Sequence, residues 1–199
     1  ARTVTKKLKG GLEMAITLEE LLKLPPQEIV KHNEKLTGEQ LRNKQQTYYE
    51  DVQVGQELPK YIYGPMTATH LFRWSAAIEN WHRIHYDLDF AVNHDKLPNV
   101  LAQGSWKQSV LPSFLKDFTL PDGWAWKAEF EHRAMLVPGD TLIVWAKVTN
   151  KYEKGGMGFI ELDTGLKNQD GIESMPGKAT VVLPLKGGKP IPYPFVAPT

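Results

Sequence analysis

The 199-residue sequence contains no cysteine, which excludes disulfides, thiolate nucleophiles and cysteine-ligated metal sites. Every apolar run is interrupted by Gly, Pro or a charged residue before about 18 residues, so we expect no membrane-spanning helix. The formal net charge is only +1, and no basic stripe with interleaved aromatics occurs, so we do not expect a nucleic-acid partner. The basic N-terminus lacks the apolar core of a signal peptide. We therefore expect a cytoplasmic protein.

Several catalytic and phosphate-binding motifs are also missing. There is no G-x-x-x-x-G-K or G-x-G-x-x-G loop, and the glycines at 155–158 lie where a hairpin turn is sufficient. No G-x-S-x-G elbow surrounds Ser105. His82, His85 and Glu79 could ligate zinc from one helical face, but H-E-x-x-H is absent and their amide and guanidinium neighbours disfavour a cation. We expect no metal.

Residues 1–47 differ in pattern from the rest of the chain. Thr17 precedes the segment LEELL at 18–22, a capping residue followed by first-turn acids, which predicts a short helix ending at Pro25. A second helical stretch over 28–45 is mostly polar and has too few apolar residues to form a core. We interpret residues 1–47 as an N-terminal helical arm that packs on the main domain, residues 48–199, or on a partner subunit.

The main domain changes from helical to strand periodicity along its length. Residues 49–56 resemble a short strand, and a helix is expected over 71–78. Apolar spacings of three, four and seven predict a long helix over 101–118, with a kink or break at Pro112. Four strand-like segments follow at 126–134, 141–152, 158–167 and 174–183, separated by short turns. The tail from residue 187 is Pro-rich and is expected to be extended.

This order of elements predicts an α+β fold. Strands joined by short turns form an antiparallel sheet. The long apolar helix that precedes them must bury its face against that sheet.

A cluster of polar side chains follows the first helix of the domain, in the segment ENWHRIH at 79–85. It carries two imidazoles, the best general acids and bases at neutral pH. The same side chains could instead form an inert polar surface in which Arg83 pairs with Asp87 or Glu79. The local composition leaves both interpretations open.

Three segments, in order, resemble the MaoC-like (R)-specific enoyl-CoA hydratases. FRWSAAIENWHRIHYD at 72–87 resembles the family segment Gly-Asp-x-Asn-Pro-(Ile or Leu)-His, in the form nearest the mesaconyl-CoA hydratase branch. LAQG at 101–104 lies where the family begins its central helix. FEHRA at 130–134 with VPGDTL at 137–142 resembles its strand-turn-strand. The resemblance covers about residues 49–185 and implies a hot-dog fold, an antiparallel sheet wrapped around a long central helix.

The resemblance also implies an activity, the addition or removal of water at the double bond of a 2-enoyl-CoA thioester. No cofactor is implied beyond the coenzyme A of the substrate. His85 matches the catalytic histidine, and the N–H of Gly104 matches the donor that polarises the thioester carbonyl, aided by the helix dipole. The expected substrate-binding residues are Gly104, Gln103, Arg83, Trp81 and Trp106.

Two departures from the family pattern affect the expected chemistry. Asn80 stands at the family's Asp position, and His82 stands at its Asn position. An amide can orient a water but cannot accept its proton, so we expect His82 or Glu79 to assist His85. Glu79 can supply the missing carboxylate only if its side chain points inward.

Two other functions are compatible with the same resemblance. The chain could be a non-catalytic or half-site subunit of a heteromeric complex in which another hot-dog chain provides the aspartate. It could also be an acyl-CoA thioesterase that uses Glu79 as base. Fold alone does not separate these functions. Because a single hot dog leaves an open sheet edge, we expect a homodimer or a heteromer with another hot-dog subunit.

Overall fold

The computed structural model describes residues 3–7, 13–17 and 34–198, which belong to two compact units, 1–32 and 33–199. The first unit contains an antiparallel hairpin of β1 (Thr3–Lys7) and β2 (Glu13–Thr17). The sequence predicted a helical arm, which is wrong for these ten residues. Threonine and other β-branched residues favour extended backbone there. The helix expected over 18–22 lies outside the described residues.

Residues 34–47 lie along the main domain in the second unit. Glu34 exchanges two backbone hydrogen bonds with Ile62, of 2.8 and 2.9 Å. The Lys44 Nζ donates to two backbone carbonyls at the end of the central helix, at 3.0 and 2.8 Å. Only α1 (Gly38–Arg42) is helical here, so the longer helix expected over 28–45 is confirmed for these five residues and wrong for the rest of its described part. The domain boundary after residue 47 stays a prediction.

One five-stranded antiparallel sheet forms the framework of the second unit. Its strands, in the spatial order β3-β5-β6-β7-β4, are β3 (Tyr61–Tyr63), β4 (Trp124–Phe130), β5 (Leu142–Lys154), β6 (Met157–Lys167) and β7 (Glu173–Leu183). The four longer strands correspond to the four predicted segments. β3 has only three residues, too few for a recognisable alternation. The strand expected over 49–56 is wrong, because a 3₁₀ turn at Tyr49–Asp51 begins that segment.

Two longer helices precede the sheet's long strands. α2 (Ala68–Ala77) begins after Thr67, whose hydroxyl accepts from the His70 N–H. α3 (Gly104–Thr119) is the predicted central helix, and it continues through Pro112, which lies on its exposed face. A 3₁₀ turn (Arg83–His85) and a π-helical turn (Phe90–His94) lie between them. In the described parts of the chain, no helix is long and apolar enough to cross a bilayer.

The core lies between α3 and the curled sheet. Leu111 and Leu115 of α3 are buried. Alternate residues of β5 are also buried, namely Leu142, Val144, Ala146 and Val148. That period of two is what a strand with one face on a core requires. The expectation that the long helix buries its apolar face against the sheet is confirmed.

A second apolar cluster receives the C-terminal tail. The neighbours Val181 and Val182 point to opposite faces of β7, and Val181 belongs to the main core. Val182 instead packs in a cluster with Phe159 and with Phe195 from the tail. Residues 184–198 form no strand, as the prolines predicted.

Truncation of Leu111 tests this packing. The side chain is fully buried, so Leu111→Ala is expected to lower the free energy of unfolding by about 2–5 kcal/mol through lost contacts and a residual cavity. Urea unfolding measures the change. The control Ile172→Ala, at a residue that is 55% exposed, is expected to change it by less than about 0.5 kcal/mol. Equal effects of the two substitutions would contradict the assigned core.

Candidate active site

His85 ends the 3₁₀ turn and lies against the segment that leads into α3. Its Nδ1 is 2.9 Å from the carbonyl oxygen of Leu101. Because a carbonyl only accepts, Nδ1 carries the proton and donates, and Nε2 of the neutral ring keeps its lone pair. Burial lowers the pKa of His85 from its usual value, the Leu101 hydrogen bond opposes this shift, and His82 adds to it. The geometry provides a general base.

The segment 101–104 is held from two directions before α3 begins. The Leu101 N–H donates to the Ile84 carbonyl at 2.9 Å, and the Ala102 N–H donates to the Leu136 carbonyl at 2.8 Å. Gly104 is the first residue of α3, where backbone N–H groups have no acceptor within the helix. Such groups, with the helix dipole, bind negatively charged oxygen. The imidazole and the start of α3 are therefore held side by side.

Gln103 precedes α3 and is almost fully buried. Its Nε2 donates to the Ser75 hydroxyl at 2.7 Å, and its Oε1 accepts from the Ser105 hydroxyl at 3.1 Å. Ser105 in turn accepts from the Trp74 indole N–H at 3.0 Å. This network ties the start of α3 to α2. Because both ends of the amide are engaged within the fold, a role for Gln103 in substrate binding stays a prediction.

His132 also borders the start of α3, and the sequence did not single it out. A Cβ on Gly104 would lie 3.2 Å from ring atoms of His132, so the close approach favours glycine. The ring Nε2 is 3.1 Å from the Gln108 amide nitrogen. Desolvation lowers the pKa of His132, and the charge of Lys107 lowers it further. The residue lies within FEHRA, but its approach to a helix 28 positions away is visible only in three dimensions.

Asn80 and His82 lie in the turn that leads to His85, and their catalytic roles stay predictions. The Asn80 Oδ1 accepts from the His82 backbone N–H at 3.1 Å, the side-chain-to-backbone bond of an Asx turn. The exposed His82 ring has its centroid 6.0 Å from that of His85. The Asn80 oxygen thus supports the turn that presents the two imidazoles. In the described part of the chain, no three histidine or carboxylate side chains are grouped to hold a metal ion.

Glu79 occupies the turn after α2 and is exposed. The expectation that its side chain could point inward is not met in this chain, because the turn places the residue at the surface. Its φ of 53° lies in the left-handed region, which favours glycine. A left-handed backbone at this position would explain why the family segment that residues 72–87 resemble has a glycine here.

Arg83 and Trp81 form the outer part of the cluster. The Arg83 Nε and Nη2 donate to one oxygen of Asp87, at 2.9 and 2.7 Å, and the guanidinium lies 4.4 Å from the Phe90 ring centroid. The Phe90 backbone N–H, followed by Arg83, lowers the pKa of Asp87. Trp81 is 57% exposed. This part resembles the inert polar surface, and substrate contacts from Arg83 and Trp81 stay predictions.

A cavity of about 280 Å³ opens beside the site, lined by Tyr63, Met66, His70, Arg73, Trp74, Ala77 and Trp106. Trp106 was predicted to contact substrate. The His70 Nδ1 accepts from the Thr67 backbone N–H at 3.1 Å, so the ring proton is on Nε2. Among residues 34–198, Arg73 forms no ion pair with a carboxylate. The cavity therefore has hydrogen-bond donors suited to an acceptor or an anion.

Solved structures of similar shape include proteins from three bacteria. The R-hydratase PhaJ1 of Pseudomonas aeruginosa is 18% identical, with a TM-score of 0.61 over 76% of this chain and 94% of its own. A MaoC-like dehydratase of Rhodospirillum rubrum is 19% identical, with a TM-score of 0.59 over 69% of this chain and 96% of its own. The ChsH1-ChsH2 complex of Mycobacterium tuberculosis contains a chain that is 16% identical, with a TM-score of 0.56 over 66% of this chain and 98% of its own. These likenesses confirm the predicted hot-dog fold.

Sequence comparison identifies the family. No curated protein sequence matches the chain. The family of hydroxyacyl-thioester dehydratase type 2 matches residues 19–137, a range that includes α2, the histidine cluster, the whole of α3 and His132. Because this match covers more than half of the sequence, the chain belongs to the hydroxyacyl-thioester dehydratase type 2 family.

Proposed function

We propose that the chain is a cytoplasmic hydratase or dehydratase that adds or removes water at the double bond of a 2-enoyl-CoA thioester. The observation that carries this proposal is the hydrogen bond from His85 Nδ1 to the Leu101 carbonyl. It leaves Nε2 as the basic nitrogen. It also holds the imidazole against Leu101, which precedes Gly104 by three residues. A base beside a helix N-terminus is what attack of water on an enoyl thioester requires.

In hydration, the Gly104 N–H binds the thioester oxygen and His85 Nε2 accepts a proton from water. The water oxygen forms a bond to C3, and the electron pair of the C2–C3 double bond moves toward the thioester oxygen. C2 then takes the proton that His85 Nε2 accepted, so that the H and OH of one water are added across the double bond. With the Asn80 oxygen engaged in a turn and the His82 ring centroid 6.0 Å from that of His85, His82 is the assistant that we propose for this transfer. Dehydration follows the same steps in reverse.

The cavity next to α2 supports the finer prediction of a mesaconyl-CoA hydratase-like enzyme. A mesaconyl group has a carboxylate at the end remote from the thioester, and Arg73 and His70 offer donors to such a group. Trp74 and Trp106 supply the apolar part of the wall. A charge-assisted hydrogen bond from Arg73 is stronger than a neutral one, so the acyl carboxylate would contribute to selectivity.

The open edge of the sheet at β4 supports an assembled enzyme. β4 has a strand neighbour on one side only within the five-stranded sheet, and such an edge pairs readily with another chain. The outer side of β3 already exchanges backbone hydrogen bonds with Glu34. A homodimer is our proposal. A half-site role in a heteromer is the alternative, and Asn80 at the family's Asp position favours it. The thioesterase alternative is weaker because Glu79, its expected base, is exposed.

Substitution of His85 tests the proposal. Purified chain is expected to hydrate crotonyl-CoA, and His85→Gln is expected to lower kcat at least about 100-fold through loss of the base. Loss of the enoyl absorbance measures the rate. The control His94→Gln, at a histidine paired with Asp95 on the surface, is expected to keep it. Activity that requires a second hot-dog chain would favour the half-site alternative. Release of free thiol from a saturated acyl-CoA would favour the thioesterase alternative.

The pH dependence of kcat/KM gives a separate test. The reaction needs neutral His85, and burial lowers its pKa below the usual 6.5. Activity is therefore expected to persist as pH falls through 6.5 and to decline only below it, as Nε2 becomes protonated. An acidic limb with a midpoint above 6.5 would show that a different group is the base.

Arg73 tests the nature of the acyl group. Arg73→Gln is expected to lower kcat/KM for mesaconyl-CoA about tenfold or more, since a charge-assisted bond contributes about 1.5–3 kcal/mol. Crotonyl-CoA, which has no second carboxylate, is expected to be little affected. The control Arg42→Gln changes an exposed arginine of α1 and should affect neither substrate. Parallel losses for both substrates would remove the support for a dicarboxylic acyl group.

A further inference from the structure

Lys107 is a buried lysine in the first turn of α3. It is 4% exposed, and its Nζ donates to the Ala134 carbonyl at 3.1 Å and to the Ser174 hydroxyl at 2.9 Å. Among residues 34–198, it forms no ion pair with a carboxylate. Both acceptors are neutral, so they satisfy N–H groups but do not neutralise the charge.

This position is unfavourable for a cation in two ways. Removal from water disfavours the charged form, and this desolvation lowers the pKa of Lys107 from its usual value. A positive charge in the first turn also meets the positive end of the helix dipole. An apolar side chain of similar size would avoid both penalties. Groups placed against such penalties are concentrated at functional sites.

The ammonium lies between the start of α3 and the segment that carries His132. Ala134, its acceptor, is two residues from His132, whose ring would meet a Cβ on Gly104 at 3.2 Å. The charge of Lys107 contributes to the lowered pKa of His132. The Lys107 ammonium therefore bonds to the same short segment, 132–134, that borders the first residue of α3.

We propose that Lys107 stabilises the negative charge that develops on the thioester oxygen beside the Gly104 N–H. This inference rests on the proposed function, in which the electron pair of the double bond moves toward that oxygen. A fixed charge in a low-dielectric interior acts more strongly than a surface charge and does not have to reorient during the reaction. Because its Nζ is bonded to protein oxygens, Lys107 acts at a distance, as an electrostatic positioning residue.

Two substitutions separate charge from hydrogen bonding. Lys107→Met removes both and is expected to lower kcat about 10- to 100-fold, less than the roughly 100- to 1000-fold loss for a donor in direct contact with the oxyanion, because Lys107 acts at a distance. KM should change little, and the melting temperature should be unchanged or higher. Lys107→Gln retains a donor but not the charge, and its kcat is expected to be as low because the proposed effect depends on the charge alone. The control Lys116→Met changes an exposed lysine in the last turn of the same helix and should keep full activity.

Wild-type kcat in Lys107→Met, or recovery of kcat in Lys107→Gln, would overturn the proposal. The first result would show that the charge is not needed. The second would show that Lys107 serves only to hold the segment around Ala134. If Lys107→Met does not fold, Lys107→Gln alone decides between charge and hydrogen bonding.

A spectroscopic measurement makes the inference independent of turnover. Butyryl-CoA has the thioester but no double bond, so it can bind without reacting. Infrared difference spectra are expected to show its carbonyl stretch at lower frequency on wild-type protein, and closer to the free value on Lys107→Met. A smaller shift in the variant supports the electrostatic role of Lys107 even if no enoyl-CoA is hydrated. Absence of hydration would refute only the proposed function. Equal shifts, or none with wild type, overturn the role of Lys107.

Discussion

The backbone of residues 101–104 is the constraint on which the site depends. The Leu101 carbonyl sets which nitrogen of His85 carries the proton, and the Leu101 N–H anchors the Ile84 carbonyl beside it. The N–H of the next residue, Ala102, donates to the carbonyl of Leu136, in the segment that precedes β5. One short segment therefore joins the histidine turn, the sheet and the first N–H of α3. Since α3 is packed on the sheet along its length, the placement of His85 and of the Gly104 N–H follows from the core.

The segment 79–85 places one partly buried histidine, His85, after a turn that is stabilised by an amide side chain. His85 keeps the position and environment that acid–base chemistry needs, whereas the Asn80 amide is used to shape the backbone ahead of His82. Glu79 has the left-handed conformation that suits glycine and lies exposed at the surface. The carboxylate expected at this site is therefore not replaced by its sequence neighbour, and His85 carries more of the proposed chemistry.

Polar groups buried near the start of α3 have different consequences. Gln103 and Ser75 satisfy one another and make the junction of α2 and α3 rigid, which stabilises the fold because no donor is left unpaired. Lys107 is also hydrogen-bonded, but its charge has no counter-ion within residues 34–198. Hydrogen bonding alone would not require a cation. Lys107 shares a helical spacing with Val110, Leu111 and Phe114, but this spacing did not show that the lysine is buried.

The sequence by itself determined the central helix, the four long strands and the expectation of a histidine site followed by a glycine helix start. Those features depend on local periodicity and on motifs whose members are close along the chain. It did not determine β3, which is too short to show a period, or the paired strands β1 and β2. Only the tertiary structure decided that Glu79 is exposed, that His132 reaches Gly104 and that Lys107 is buried. The physical reason is separation along the chain: the Lys107 ammonium bonds to residues 27 and 67 positions away, and such contacts exist only once the sheet has closed around α3.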